Sequence, residues 1–171
     1  MVSEITEDEE YMECVRDILC HPVFQSMDQY IQHGTTTCKT HCMQVSYLGY
    51  KLCKQLGGNW RSAARAGLLH DLFLYDWHTH AKETGQYFHG FTHPKAALAN
   101  ADRYFRLTGE ERMIILRHMW PLTLVLPHPR QDMQLLARIN IAVQWKPRPG
   151  LSTGFGCACL RSRPDGNHTF C

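Results

Sequence analysis

The chain has 171 residues, 44% of them hydrophobic and 20% charged, with a formal net charge of +2. That is the length of one domain, with enough apolar material for a packed core. The composition excludes a disordered linker and a collagen-like chain, and no run reaches the roughly 18 apolar residues of a membrane span.

Residues 4–13 carry Glu4, Glu7, Asp8, Glu9, Glu10 and Glu13 with no base. Residues 8–20 read as a first helix, with Met12, Val15 and Leu19 on one face. His21-Pro22 interrupts it, and Phe24, Met27, Tyr30 and Ile31 continue with helical spacing. Gly34 and its neighbouring threonines break that pattern. A long helix is expected from about Thr37 to Leu56, with His41, Val45, Leu48 and Leu52 on one stripe and Gly57-Gly58 at its end. Arg61 to Leu74 is rich in alanine and leucine and reads as helix. Tyr75 to Phe91 is aromatic, His-rich and aperiodic, which predicts a loop with room for one short helix. Thr92 is placed to cap the next helix, with Pro94 in its first turn and an end near Phe105. Thr108 and Glu111 have capping-box spacing and open a helix to about Met119. Pro121 stops it, and residues 131–145 look helical again. No period-2 strand of any length is visible, so the expected fold class is all-α.

From Pro147 the character changes. Pro147, Pro149, Gly150, Gly154 and Gly156 break any helix, and Cys157, Cys159 and Cys171 crowd the end. The basic residues Lys146, Arg148, Arg161 and Arg163 lie here too. Without interleaved aromatics they make a poor nucleic-acid site, and no specific nucleic acid is expected as a partner.

Eight cysteines would suit disulfides in a secreted chain. No basic-then-apolar signal follows Met1, so a cytoplasmic, reducing setting is expected. Cys14, Cys20, Cys38, Cys42 and Cys53 then read as small hydrophobes within helices. The 11 histidines are the anomaly, because imidazole is the commonest metal ligand.

His41, His70, His93 and His118 each lie on or at the end of a different expected helix. His70-Asp71 follows the apolar run Ala66-Gly67-Leu68-Leu69. Burying an imidazole and a carboxylate together is costly unless each has a partner. A divalent cation is one such partner, and this donor set suits iron, manganese or zinc. Taken singly, each histidine has an ordinary structural reading. His41 fits a hydrogen-bonded core histidine, and His118 fits a favourable cation near a helix C-terminus.

The order His41, His70-Asp71, His93, His118 resembles the HD-domain superfamily of metal-dependent phosphohydrolases. The local strings that carry the likeness are THCMQVSYL, ARAGLLHDLFLYDWH, FTHPKAALANA and MIILRHMWPLT, and the likeness spans roughly residues 20–145. It implies a helical bundle with the metal site in its centre, placed here over residues 1–146; the aperiodic residues 147–171 read as an irregular tail. It also implies that His41, His70 and Asp71 hold a primary divalent metal, with Asp71 between two ions when a second is held by His93 and His118. His70 and Asp71 are then the catalytic centre. A small phosphorylated substrate, a nucleotide among the candidates, is hydrolysed by metal-activated water. His33, Lys39 and Lys82 are candidate phosphate contacts, with an ordinary surface residue the commoner reading of each, and His78, His80 and His89 beside the doublet either contact substrate or, more commonly, are simply solvated. Two rival readings go with the same residues. One is a non-catalytic module that binds metal or nucleotide; the other is a di-iron HD-type oxygenase.

One departure stands out. The family closes its primary site with an aspartate in a helix reading like Leu-Ala-Asp-Lys. Here the segment reads LLARINIAVQW, with Arg138 at that place. A fixed guanidinium opposes a dication, and Asp132 is the nearest substitute. Suitable codons for Ala137 to Lys146, read from the third base of the Ala137 codon, spell Ala-Asp-Lys-Tyr-Cys and then, after one undetermined residue, Ser-Val-Glu-Thr. A one-base shift near Leu136–Ala137 therefore accounts for both Arg138 and the aperiodic tail. It also makes the zinc-like set Cys157, Cys159, His168 and Cys171 accidental. Helix-borne Tyr47, Tyr50 and Tyr104 suit either subunit contacts or the core.

Overall fold

The computed structural model of the protein describes residues 2–75 and 89–120. Among the described residues the fold is all-α, with one small hairpin. The helices are α1 (Val2–Glu7), α2 (Glu9–Leu19), α3 (Pro22–Gln25), α4 (Cys38–Gln55), α5 (Trp60–Leu69), α6 (His89–Tyr104) and α7 (Gly109–Arg117). A 3-10 turn covers Ser26–Gln29. No helix among the described residues is long and apolar enough to cross a membrane.

Local chemistry sets most helix ends. Asp8 caps α2 by accepting from the Tyr11 amide, and Thr37 caps α4 by accepting from that of Thr40. His21 starts α3, its Nδ1 accepting from the Val23 amide with Pro22 in the first turn. Gly57, at φ +72°, lets the chain leave α4 through the left-handed region.

Helices α4 and α5 form the centre. Their crossing is close because the facing residues are small: Ser46 on α4, and Ala64 and Gly67 on α5. A Cβ on Gly67 would stand 2.6 Å from the Ser46 Cα. The Ser46 hydroxyl donates to the Ala64 carbonyl, so it accepts from the Tyr11 hydroxyl at 2.8 Å. This chain of bonds ties α2 to both. Around it pack Val15, Ile18, Phe24, Met27, Leu68, Leu69, Leu72 and Ile115, all fully buried.

Arg65 joins three helices. It makes a two-pronged pair with Asp17 of α2 at 2.6 and 2.9 Å, and its Nε donates to Glu111 of α7 at 3.0 Å. Glu111 also completes the capping box of α7, its other oxygen accepting from the Thr108 amide at 2.7 Å. Thr108→Ala removes half of that box. It is expected to cost about 1 kcal/mol, read as a lower denaturation midpoint at unchanged slope.

Several expectations need correcting. A two-stranded antiparallel hairpin exists, β1 (Ile31–His33) with β2 (Thr36–Thr37), in place of a helical continuation through Ile31. Strands this short leave no alternation to detect. Helix α5 ends at Leu69 rather than Leu74. There, tertiary bonds replace helical ones: Asn100 donates to the Leu72 carbonyl, Tyr30 donates to that of Leu74, and Leu74 takes φ +58°. Helix α6 starts at His89, so Thr92 is not its cap and Pro94 lies inside it. Pro94 has no N–H to give, but its ring is buried, which offsets the lost bond.

The stripe on α4 is also shifted. Leu48 and Leu52 are half-buried, while Cys38, Cys42, Ser46 and Cys53 are the deepest positions. Small side chains win there because α5 lies so close. Cys20 is exposed rather than packed. Tyr47 and Tyr50 are buried, with rings against Tyr11, and belong to the core; Tyr104 is exposed. The expected helix 131–145, the tail 147–171 and the domain boundary between them lie outside the described residues.

Candidate metal centre

The five residues singled out as ligands come together. His41 stands on the second turn of α4, His70 ends α5, and Asp71 follows it in the bend. His93 lies on α6, and His118 ends α7. All five are buried, from fully buried His70 to His41 at 7% exposure.

Asp71 sits between two pairs of imidazoles. Its Oδ2 faces His41 Nε2 at 3.7 Å and His70 Nε2 at 3.3 Å. Its Oδ1 faces His93 Nε2 at 3.3 Å and His118 Nε2 at 3.6 Å. Each oxygen thus belongs to a separate three-residue group, His41–His70–Asp71 and Asp71–His93–His118, and each group is able to hold a metal ion.

The ring orientations fit that use. His70 Nδ1 donates to the Gly67 carbonyl at 2.8 Å, and His118 Nδ1 donates to that of Ile115 at 2.7 Å. In both, the helix's own backbone takes the Nδ1 proton and turns Nε2 inward. Metal-ligating histidines are fixed in this way. The decisive atom is His70 Nε2. It is fully buried, and its approach to Asp71 lacks hydrogen-bond geometry, so it has no hydrogen-bond partner. Two donors on one ion at about 2.1 Å stand roughly 3–4 Å apart. The four separations between Asp71 and the histidines, 3.3–3.7 Å, lie in that range, and His93 Nε2 to His118 Nε2, at 2.8 Å, must open slightly.

Electrostatics favours charge separation. Burial pushes the Asp71 carboxyl up, but His70 and His93 outweigh it and hold it well below the usual carboxylate range. Burial pushes His70 down, but the Asp71 carboxylate outweighs it, and His70 ends raised. His118 is pushed down to about 3 by burial and then by the charge of His70. The metal-free site therefore holds Asp71 as carboxylate, and His118 stays neutral.

Sequence reasoning missed three neighbours. Gln32 donates from Nε2 to Asp71 Oδ2 at 2.8 Å, and Cys38 Sγ donates to Gln32 Oε1 at 3.0 Å. Cys42 lies with Sγ 3.8 Å from His70 Nδ1, and burial keeps it a thiol. A buried glutamine in a hairpin carries no periodic signal, whereas the cysteines looked like core filler.

Lys39 is not a surface residue. It is buried at 3% exposure and paired with Asp28 and Gln25, so its charge is committed. His33 lies in β1 and His89 opens α6. His78, His80, Lys82, Asp132, Arg138, Cys157, Cys159, His168 and Cys171 lie outside the described residues.

A scan of the chain against protein-family models found no match, and searches of the curated proteins and of the solved structures found none either. The site therefore rests on its own geometry.

Proposed function

We propose that the chain is a metal-dependent phosphohydrolase of the HD type, acting on a small phosphate ester, with nucleotides among the candidates. The observation that carries this reading is the Asp71 carboxylate divided between two histidine pairs, with the orphaned His70 Nε2 aimed at it.

His41, His70 and Asp71 would hold one divalent cation, and Asp71, His93 and His118 a second. Iron, manganese and zinc all suit imidazole and carboxylate donors. Such a cation lowers the pKa of bound water and offsets charge on a phosphoryl oxygen. The protein's own part is to bring four imidazoles together from four helices, to offer one carboxylate to both positions and to bury all five side chains.

A second reading is favoured by Arg138, which stands in sequence where the family places its last acidic ligand. On that reading the chain binds metal without turnover. A di-iron oxygenase uses the same donors and makes a third. The separating experiment reconstitutes the chain with manganese, zinc or iron and assays a panel of phosphoesters alongside oxygen uptake. Phosphate release supports the hydrolase. Metal retention with neither activity supports the binding module, and oxygen uptake with iron alone supports the oxygenase.

Metal affinity should depend on pH with a definite sign. His70 is raised above 6.5, so on the acid side of its value a metal must displace one proton. Affinity then falls about tenfold per pH unit. His118, neutral down to about 3, adds no second proton between pH 5 and 8. Metal titration across this range should show affinity rising with pH on the acid side of the His70 value; affinity that does not change with pH would show His70 already neutral. Without metal the two histidines act oppositely. The His118 contribution to stability is present above about 6.5 and is lost as pH falls toward 3. The His70 contribution is present below about 6.5 and is lost as pH rises through its raised value.

A further inference from the structure

We propose that Gln32 and Cys38 form a positioning relay that fixes the Asp71 carboxylate, so that each of its oxygens serves one metal position. This inference rests on the metal-centre reading and adds to it two residues outside the ligand set.

The hairpin is built to deliver Gln32. Ile31 pairs with Thr37 and His33 with Thr36, so the register slips by one residue at Gln32. A bulge of this kind re-aims a side chain and is common beside active sites. The result inverts the usual preference. Apolar Ile31 is 39% exposed, whereas the polar Gln32 is only 9% exposed. Burying an amide is unfavourable unless both its ends are bonded. Here both are: Nε2 donates to Asp71 Oδ2, and Oε1 accepts from the Cys38 thiol.

The carboxylate decides which way the amide faces. Ionised Asp71 only accepts, so the NH₂ end of Gln32 must meet it. The amide oxygen then takes the proton of the Cys38 thiol. Cys38 begins α4, the helix that carries His41 one turn later, and its amide donates to the Tyr30 carbonyl beside the hairpin. Hairpin, helix start and carboxylate are therefore coupled. One Gln32 bond uses one lone pair of Oδ2 and leaves another for an ion held with His41 and His70. Rotation of the carboxylate would break that bond and take Oδ1 away from His93 and His118.

The test compares four variants with the unaltered full chain by manganese and zinc titration, with thermal melting of each metal-free protein as the fold control. Gln32→Met keeps the volume and removes both polar ends; Gln32→Leu repeats this with a branched chain. Each is expected to weaken metal affinity about 10–100-fold, the usual effect of losing an outer-shell partner. Cys38→Ser keeps a donor and should stay within about threefold of the unaltered chain, while Cys38→Ala should lose about tenfold. A cysteine that only packs would show the reverse order, because buried alanine is then tolerated better than serine. Unchanged affinity in both Gln32 variants, or alanine equal to or better than serine at position 38, overturns the relay and leaves the metal centre standing. An unaltered chain that takes up neither metal overturns both.

Discussion

Asp71→Asn is expected to abolish metal binding at both positions at once. The amide has nearly the shape of the carboxylate, so the fold has no steric reason to change. What disappears is the negative charge and one of two acceptor oxygens. One arm becomes an NH₂ group, which repels a cation and cannot ligate it. Since Oδ2 serves His41 and His70 while Oδ1 serves His93 and His118, neither group keeps its anionic ligand. Loss of an outer-shell partner already costs about 10–100-fold in affinity, so the first-contact loss here should exceed about 100-fold. His70→Ala makes a useful contrast. It deletes a donor from one group only and should leave the Asp71–His93–His118 group able to bind. Metal titration of both variants reads the difference. One full-affinity ion in Asp71→Asn would show that Asp71 is not shared.

Gly67→Ala is expected to destabilise the fold although alanine is the better helix former. Propensity alone favours alanine by about 1 kcal/mol. Against this, the new methyl would stand 2.6 Å from the Ser46 Cα, a backbone atom that cannot rotate away. Helices α4 and α5 must separate. Overpacking of this kind costs about 1–3 kcal/mol, and a buried hydrogen bond left unmade costs about 1–3 kcal/mol more. The Tyr11–Ser46–Ala64 chain lies at the contact. A net loss of about 2 kcal/mol follows, lowering Tm by roughly 4–8 °C. The Gly67 carbonyl also holds His70 Nδ1, so metal affinity should drop with it. A Tm at or above that of the unaltered chain would mean the crossing is looser than described.

Much of this was legible in the sequence. The capping box at Thr108, the cap at Thr37 and the stop at Gly57 are local chemistry, and the helices begin and end there. Histidines placed where helices should point inward drew attention, and the resemblance to the HD-domain superfamily singled out His41, His70, Asp71, His93 and His118, which the fold brings together. Other features depend on partners far along the chain. The end of α5 is set by Asn100 and Tyr30, neither of which marks Leu74 in sequence. The small-residue face of α4 becomes the deepest face only once α5 is laid against it. Lys39 is buried because Asp28 and Gln25 receive its charge. Gln32 was invisible because a one-residue bulge turns it inward, against its own polarity and that of Ile31.

The central claim is that His41, His70, Asp71, His93 and His118 hold metal. The most direct measurement is the metal content of the purified full chain by elemental mass spectrometry, beside that of Asp71→Asn, altered at the residue shared by both groups. The account predicts at least one equivalent of iron, manganese or zinc in the unaltered chain and less in the variant. No metal in the unaltered chain, or the same content in both, would contradict it.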